Sequence, residues 1–447
     1  MFRLALILFG GDALIRRWRS FLVMGLLVLA TGFGVLFDLV DGVADVASWA
    51  LGTILLVLGL VELLVSSSHA RVRRQLERLR GLAMLAGACL VLDFPWDNSI
   101  ASGVLFGAVF LFNGLLRIGG GLLIRYPNWQ VSCSLGVGYL VMALLLFTSW
   151  PLPDAMNVSF SLGLALLAGG GVLVRGALRL RRLPAGTRLA AIDLYQRNRP
   201  VLPQALTTSQ TVAPPALAPP ALEASQLEPL VVHVWTAVGS VEDRIRLPLI
   251  ERYVVALSRK GRAFSGHTAL ECGPDLYISH HPRDRLSIGA HNVVQEARAT
   301  PENNRPGHWG LSYCDEAATS RPSTLQIRFR VYNPLYLQAF WRSYREDDTY
   351  NFTHRNCSTV VVQAIDAAVE GVFADKPFWP TFLRMLLHPD MWLAGSVRVR
   401  AEALAWSPGL VLDYVSAVRS ITYPRHNFRQ RLVRRWRARQ RRTRQDG

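Results

Sequence analysis

The chain has 447 residues, 51% of them hydrophobic, and a formal net charge of +17 carried largely by arginine. That length suits two or three domains, and the charge points to an anionic partner, a membrane surface well ahead of nucleic acid. The five cysteines, Cys89, Cys133, Cys272, Cys314 and Cys357, show no CxxC spacing and are odd in number, which argues against a disulfide framework or a zinc site.

The first 20 residues, "MFRLALILFGGDALIRRWRS", resemble a signal peptide only superficially. The apolar run is short, Asp12 interrupts it and the arginines follow it, so residues 1–20 are expected to form an interfacial amphipathic helix. Residues 21–180 are expected to form a six-helix transmembrane bundle. Its segments are Phe21–Val40, Ala47–Ser67, Gly81–Trp96, Ala101–Ile124, Val131–Trp150 and Val158–Leu178, the third being the shortest. Arg3, Arg16, Arg17 and Arg19, the loop "HARVRRQLERLR", Arg125 and the exit "RGALRLRRLPAGTR" alternate with loops bearing Asp41, Asp45, Asp93, Asp97 and Asp154. This is the positive-inside pattern, and it predicts cytoplasmic N- and C-termini in a bacterial inner membrane. The odd cysteine count agrees with a reducing compartment.

Small residues, as in "RIGGGLLIR" and "LALLAGGGVLV", suit close helix packing and self-association of the bundle. Asn113 and Arg117 share a face of the fourth segment and read as an interhelical hydrogen bond and a snorkelling arginine. No chain of carboxylates or histidines crosses these segments, which disfavours an ion transporter. Six short, Gly-rich segments with small acidic loops resemble the HdeD-like family of bacterial membrane proteins. The resemblance implies an inner-membrane bundle and no defined chemistry.

Residues 181–229 form a linker whose Pro/Ala-rich part, Leu202 to Pro229, reads as a semi-rigid tether, leaving the following domain near the membrane but not packed into the bundle. Residues 230–370 then read as an α+β domain. "LVVHVWTAVG", "IERYVVALSRKG" and "TLQIRFRVY" have strand character, and "HTALEC" and "DLYISHH" form a hairpin about Gly273-Pro274. "PLYLQAFWRSYRE" is helical by spacing. In "DTYNFTHRNCSTVVVQAID", Asn356 caps a helix that opens on Cys357. A cysteine at that position feels the positive end of the helix dipole, which favours thiolate. A nearby imidazole would act as its base, and the free N–H groups would hold an oxyanion.

His267 opens the strand "HTALEC", His280 closes "DLYISHH", and the Asn-Cys helix follows. This order resembles circularly permuted papain-like proteins, among them lecithin retinol acyltransferase-like enzymes, permuted NlpC-type hydrolases and the N-terminal region of Lnb-type proteins. The resemblance implies Cys357 as nucleophile, His267 as base and His280 as the group orienting or polarising it; Asn356 and Ser358 are expected to support the helix N-terminus and the oxyanion there. Ser358-Thr359 stands where the lipid-acting relatives have Glu-His, so peptidase or amidase chemistry stays open beside acyl transfer. His281 competes with His280, and the two point to opposite strand faces. His354 reads as a loop histidine, His308 as part of a surface loop, and Cys272 and Cys314 as structural.

Residues 371–424 form a helical extension broken by Pro380, Pro389 and Pro408. Residues 425–447 form a basic tail suited to anionic lipid; nucleic acid is a minor alternative. The sequence therefore reads as a multidomain membrane protein, an all-α bundle plus a permuted papain-like domain. The expected activity is a cysteine hydrolase or acyltransferase acting on an amide, ester or thioester without metal or organic cofactor. The alternative is a non-catalytic membrane stress or scaffold protein whose C-terminal domain binds a ligand or partner.

Overall fold

The computed structural model describes residues 2–41, 45–65, 71–92, 99–126, 129–150, 153, 156–183, 228–236, 256–257, 263–264, 266–284, 292–386 and 388–423. The basic tail, the Pro/Ala-rich linker and the loop residues Asp93, Asp97 and Asp154 lie outside these residues. Two short helices, α1 (Phe2–Phe9) and α2 (Gly11–Ile15), precede six long ones. These are α3 (Trp18–Asp41), α4 (Asp45–Val65), α5 (Arg71–Val91), α6 (Ser99–Ile124), α7 (Trp129–Phe147) and α8 (Asn157–Arg182).

Four stretches are long and apolar enough to cross a membrane: Trp18–Phe37, Gly103–Ile124, Trp129–Phe147 and Asn157–Arg182. In α4 and α5 the apolar stretches Trp49–Leu60 and Gly81–Val91 are shorter. The chain is thus a membrane protein with a helical domain, in which four helices, and not the six expected, are long and apolar enough to cross among the described residues. The long helices pack in pairs, α3 with α8, α4 with α5 and α6 with α7. Glycine makes the first pair possible: a Cβ on Gly32 would lie 3.0 Å from the Leu167 backbone nitrogen, and one on Gly170 would lie 2.8 Å from that of Leu29. Backbone meets backbone there, the close approach that small residues permit between apolar helices. Large side chains such as Leu27 and Phe37 point outward, where lipid rather than water suits them.

The C-terminal half is an α+β domain. Strands β1 (Leu230–Trp235), β2 (Ala256–Leu257), β3 (Ala263–Phe264), β4 (His267–Cys272), β5 (Leu276–Ile278) and β6 (His280–Pro282) lead to the short helix α9 (Val293–Glu296). Then follow β7 (Gly307–Trp309), α10 (Tyr313–Thr319), β8 (Leu325–Phe329), α11 (Pro334–Tyr344) and α12 (Cys357–Val369). The order ends with α13 (Phe378–Leu386), α14 (Pro389–Ala403) and α15 (Pro408–Thr422). An antiparallel four-stranded sheet runs β5-β4-β1-β8, with Val232 opposite both Leu270 and Ile327. Alternation along the strands gives the sheet two different faces. Leu230, Val232, Val234, Leu270, Ile278, Ile327 and Phe329 join the main core under α12 and α15. His233, Trp235, Ala269 and Glu271 face the other way, toward Tyr313 of α10. The expected hairpin forms at Gly273, whose φ of 63° suits glycine. It ends at Ile278, because β6 leaves β5's register to pair with β7.

Two sequence expectations change. The N-terminal helix does not lie on a surface: Leu4, Leu6, Ile7, Leu8 and Phe9 are at most 1% exposed and belong to the core of the C-terminal domain. Helix α1 touches α12, α13 and α14, and the N–H groups of Gly371 and Phe373 donate to the carbonyls of Ile7 and Leu8 at 3.0 and 2.8 Å. An eight-residue helix that is apolar except for Arg3, itself paired with Glu402 at 3.5 Å, is stable when enclosed, whereas an interface wets one side. The C-terminal domain is also not merely tethered. Ala299 N–H donates to the Ile124 carbonyl at 2.6 Å, and Ala299 forms an apolar cluster with Ile124 and Tyr126 at the end of α6.

Candidate active site

Helix α12 starts where the sequence places it. Asn356 has extended backbone, and its Oδ1 accepts the Thr359 N–H at 2.8 Å. Its Nδ2 donates to the carbonyls of Phe352 and Trp406 at 2.7 and 3.2 Å, tying the cap to the chain before it and to the segment before α15. Both amide hydrogens are therefore engaged, and Asn356 is an anchor for the helix start rather than a free oxyanion donor.

Cys357 is 8% exposed. Its sulfur lies 3.9 Å from the Ser358 hydroxyl. The Thr268 hydroxyl donates to Ser358 Oγ at 3.4 Å. β5 pairs only with Leu270–Cys272, so the His267–Thr268 edge of β4 is not covered by it. Burial raises the thiol above its ordinary range, and the Thr268 and Ser358 donors offset this only in part. The expected lowering by the helix N-terminus does not prevail, because desolvation of a sulfur anion outweighs the helix-end field at this depth. Alkylation of Cys357 in the resting protein is accordingly expected to keep accelerating as pH rises through and beyond the usual thiol range. A rate already level near neutral pH would contradict a protonated resting thiol.

His267 belongs to a second group on the opposite sheet face. Its Nε2 lies 2.8 Å from Ser279 Oγ and 3.6 Å from Glu316 Oε2. Ser279 donates to Glu316 Oε1 at 2.5 Å and is 3.0 Å from His281 Nε2, which itself lies 2.7 Å from Glu316 Oε1. Tyr277 donates to Glu316 Oε2 at 2.8 Å. The rings of His267 and His281 stack with centroids 4.3 Å apart. Burial, then the neighbouring His281, brings His267 down to about 3, so its ring is neutral. Burial pushes the Glu316 carboxyl up, but His281, His267 and Ser279 outweigh it and hold it at about 2, so it is ionised.

Among the described residues no hydrogen bond joins Cys357 to His267, His280 or His281. Thr268, beside the Cys357–Ser358 pair, is the chain neighbour of His267, whose own ring lies on the other face of the sheet. His280 does not orient His267. It is 1% exposed, stacks on Trp309 and donates from Nε2 to the Asp348 carbonyl at 3.1 Å, leaving a buried Nδ1 without a partner. Burial holds it at about 4. The histidine that stacks on His267 is His281 and not His280, because neighbours on an extended strand face opposite ways. His354, in the turn before Asn356, is also neutral through burial, at about 4.

Glu316, Ser279 and Tyr277 escaped the sequence reading. Tyr277, Ser279 and His281 alternate, so a period of two would have put them on one face. Glu316 lies in a short helix announced only by its cap, Ser312 accepting the Asp315 N–H at 3.1 Å. Metal-ligand spacing is absent from the sequence, yet three distant residues, His267, His281 and Glu316, bring ligand atoms within 4.8 Å of one another. No family model, no curated protein and no solved structure matches the chain.

Proposed function

We propose that this is a membrane-anchored thiol hydrolase or acyltransferase of permuted papain-like type, acting on an amide, ester or thioester. The observation that carries the reading is the placement of Cys357 at the capped start of α12, beside Ser358 and Thr268, with Thr268 next to His267 on β4. His267 Nε2 is held by Ser279 and Glu316, and its Nδ1 has no hydrogen-bond partner among the described residues. A neutral ring anchored through one nitrogen offers the other as a base. The order His267, then Cys357 at a capped helix start, adds the resemblance to that class.

In the proposed reaction Cys357 Sγ attacks the carbonyl carbon as its proton passes to His267. The raised thiol means that proton transfer accompanies attack instead of preceding it. N–H groups at the start of α12 receive the developing oxyanion. Collapse expels the amine, alcohol or thiol, which takes the proton from His267 and leaves a thioester on Cys357. Water or an acceptor then attacks this thioester, gives its proton to His267, and releases the acid or transferred acyl product with the thiol restored.

The same proposal places six crossings in the bacterial inner membrane with both ends in the cytoplasm. The loop charges support it, and the contact of α1 with α12 and α14 is in keeping with an even number of crossings between them. The docking of Ala299 beside Ile124 puts the domain next to the Arg125 loop, on the basic side. A non-catalytic ligand-binding role is the second reading, favoured by the burial of Cys357 and the absence of a direct thiol–imidazole hydrogen bond.

The test is covalent trapping by a thiol-directed acyl probe on the full chain in detergent. Cys357→Ala is expected to lose the adduct while Cys272→Ala and Cys314→Ala keep it, and His267→Gln is expected to slow it by about 10²–10⁴-fold. Undiminished labelling of Cys357→Ala would end the thiol reading.

A further inference from the structure

We propose that His267, His281 and Glu316 bind one divalent metal ion of the zinc class. Three separate elements, the start of β4, β6 and α10, aim one ligand atom each at a common point, all within 4.8 Å of one another. A tetrahedral ion with bonds of about 2.0–2.1 Å holds its ligand atoms about 3.4 Å apart. His281 Nε2 lies 2.7 Å from Glu316 Oε1 and His267 Nε2 lies 3.6 Å from Oε2, so the carboxylate reaches both rings, and ligation through Oε1 alone asks the side chains to shift within the 4.8 Å that already spans the three ligand atoms. Both Nε2 atoms approach Ser279 Oγ, at 2.8 and 3.0 Å, so both edges face one point, and with the ring planes only 22° apart coordination asks each ring to tilt toward the ion.

The Ser279 hydroxyl marks the place. It lies 2.8, 3.0 and 2.5 Å from His267, His281 and Glu316 respectively. One hydroxyl hydrogen cannot serve three such neighbours, so the network closes by hydrogen bonds only when both imidazoles carry their proton on Nε2. A cation satisfies the same three atoms with their lone pairs and turns Ser279 into a partner for bound water.

The surroundings suit an ion. Tyr277 donates to the second Glu316 oxygen, the outer support that fixes a ligating carboxylate. Exposed His308 stacks on His281 with centroids 5.3 Å apart, on the side from which solvent reaches the group. Two imidazoles and one carboxylate favour zinc over magnesium or calcium, and three protein ligands leave a fourth position for water.

Occupation has a consequence that rests on the thiol reading. An ion on His267 Nε2 leaves the ring's proton on Nδ1, where it cannot receive the Cys357 proton. The metal-loaded protein is then without its base, and the ion acts as a reversible brake.

The experiment is titration of the chelator-stripped full chain in detergent with Zn²⁺ against a chromophoric chelator, and with Co²⁺ by absorption. One ion per chain is expected, weakened at least tenfold in His281→Asn and in Glu316→Gln and unchanged in Cys357→Ser. The cobalt spectrum is expected to lack a thiolate charge-transfer band. Binding no tighter than that of His281→Asn, or a thiolate band, overturns the site. Zn²⁺ is expected to slow acyl-probe labelling of the wild type and not of His281→Asn. Unaltered labelling of a zinc-loaded wild type overturns the brake while the site stands. Absence of any Cys357 labelling without metal overturns the thiol reading and the brake with it, and leaves the site resting on the titration.

Discussion

Deleting Phe2–Phe9 is expected to unfold the C-terminal domain, although the deleted residues lie more than 200 positions away from it in the chain. Leu4, Leu6, Ile7, Leu8 and Phe9 are at most 1% exposed. Each buried side chain of this kind contributes about 2 kcal/mol, so five amount to roughly 10 kcal/mol, comparable with the whole stability of a typical domain at about 5–15 kcal/mol. The Phe9 ring sits 4.4 Å from that of Phe378, and Gly371 and Phe373 would lose their backbone acceptors. Gly10 takes a φ of 78° so that the chain can turn beside Gly371, where an added Cβ would lie 3.1 Å from the Gly371 Cα. Limited proteolysis and near-UV dichroism of the full chain in detergent would read the outcome. Ile7→Asp should act in the same direction without shortening the chain. A deleted protein with native protease resistance would mean that α1 is dispensable.

A loss of about 3–5 kcal/mol is expected for Asp366→Ala. Asp366 in α12 lies 2.5 Å from Arg398 Nη2 in α14, and Tyr414 in α15 donates to Asp366 Oδ1 at 2.7 Å. Asp366 is fully buried and Arg398 is 3% exposed, so the pair holds three helices together away from water. Removing the carboxylate strands a guanidinium whose other carboxylate neighbour, Glu402 at 3.2 Å, is one-fifth exposed. Replacing both partners with apolar side chains, Asp366→Leu with Arg398→Met, is expected to recover most of the loss, since the cost lies in the unpaired charge and not in the missing bond. Thermal melts of the three proteins decide it. An Asp366→Ala melt within experimental error of wild type would show that water or Glu402 compensates the charge.

Much of the architecture was legible because its signals are local. Apolar stretches long enough to span a bilayer announce the helical half, and alternation announces β1, β4 and β8. Asn356 before Cys357 announces the capped start of α12, since a cap is an interaction between residues three apart. The composition of α1 was equally visible, but a short apolar helix is compatible with a membrane surface or a core, and only contact with Gly371, Phe373 and Phe378 chooses.

The candidate site divides the same way. Cys357 and His267 were legible as residue types in a familiar order, but that they fall on opposite faces of the sheet follows from strand alternation and from where α12 docks. The exchange of His280 for His281 depends on a break at Ser279 that turns β6 toward β7. Glu316 enters from a helix 35 residues further on, and no local period connects it to His281. The thiol's protonation reversed for a similar reason: the helix end is written in the sequence, whereas burial is a property of everything folded around it. By itself the sequence determined which segments become helices and strands and which residues could react. The tertiary structure alone decided which of those residues share a face and a depth, because strand register and helix docking are set by contacts between residues far apart in the chain.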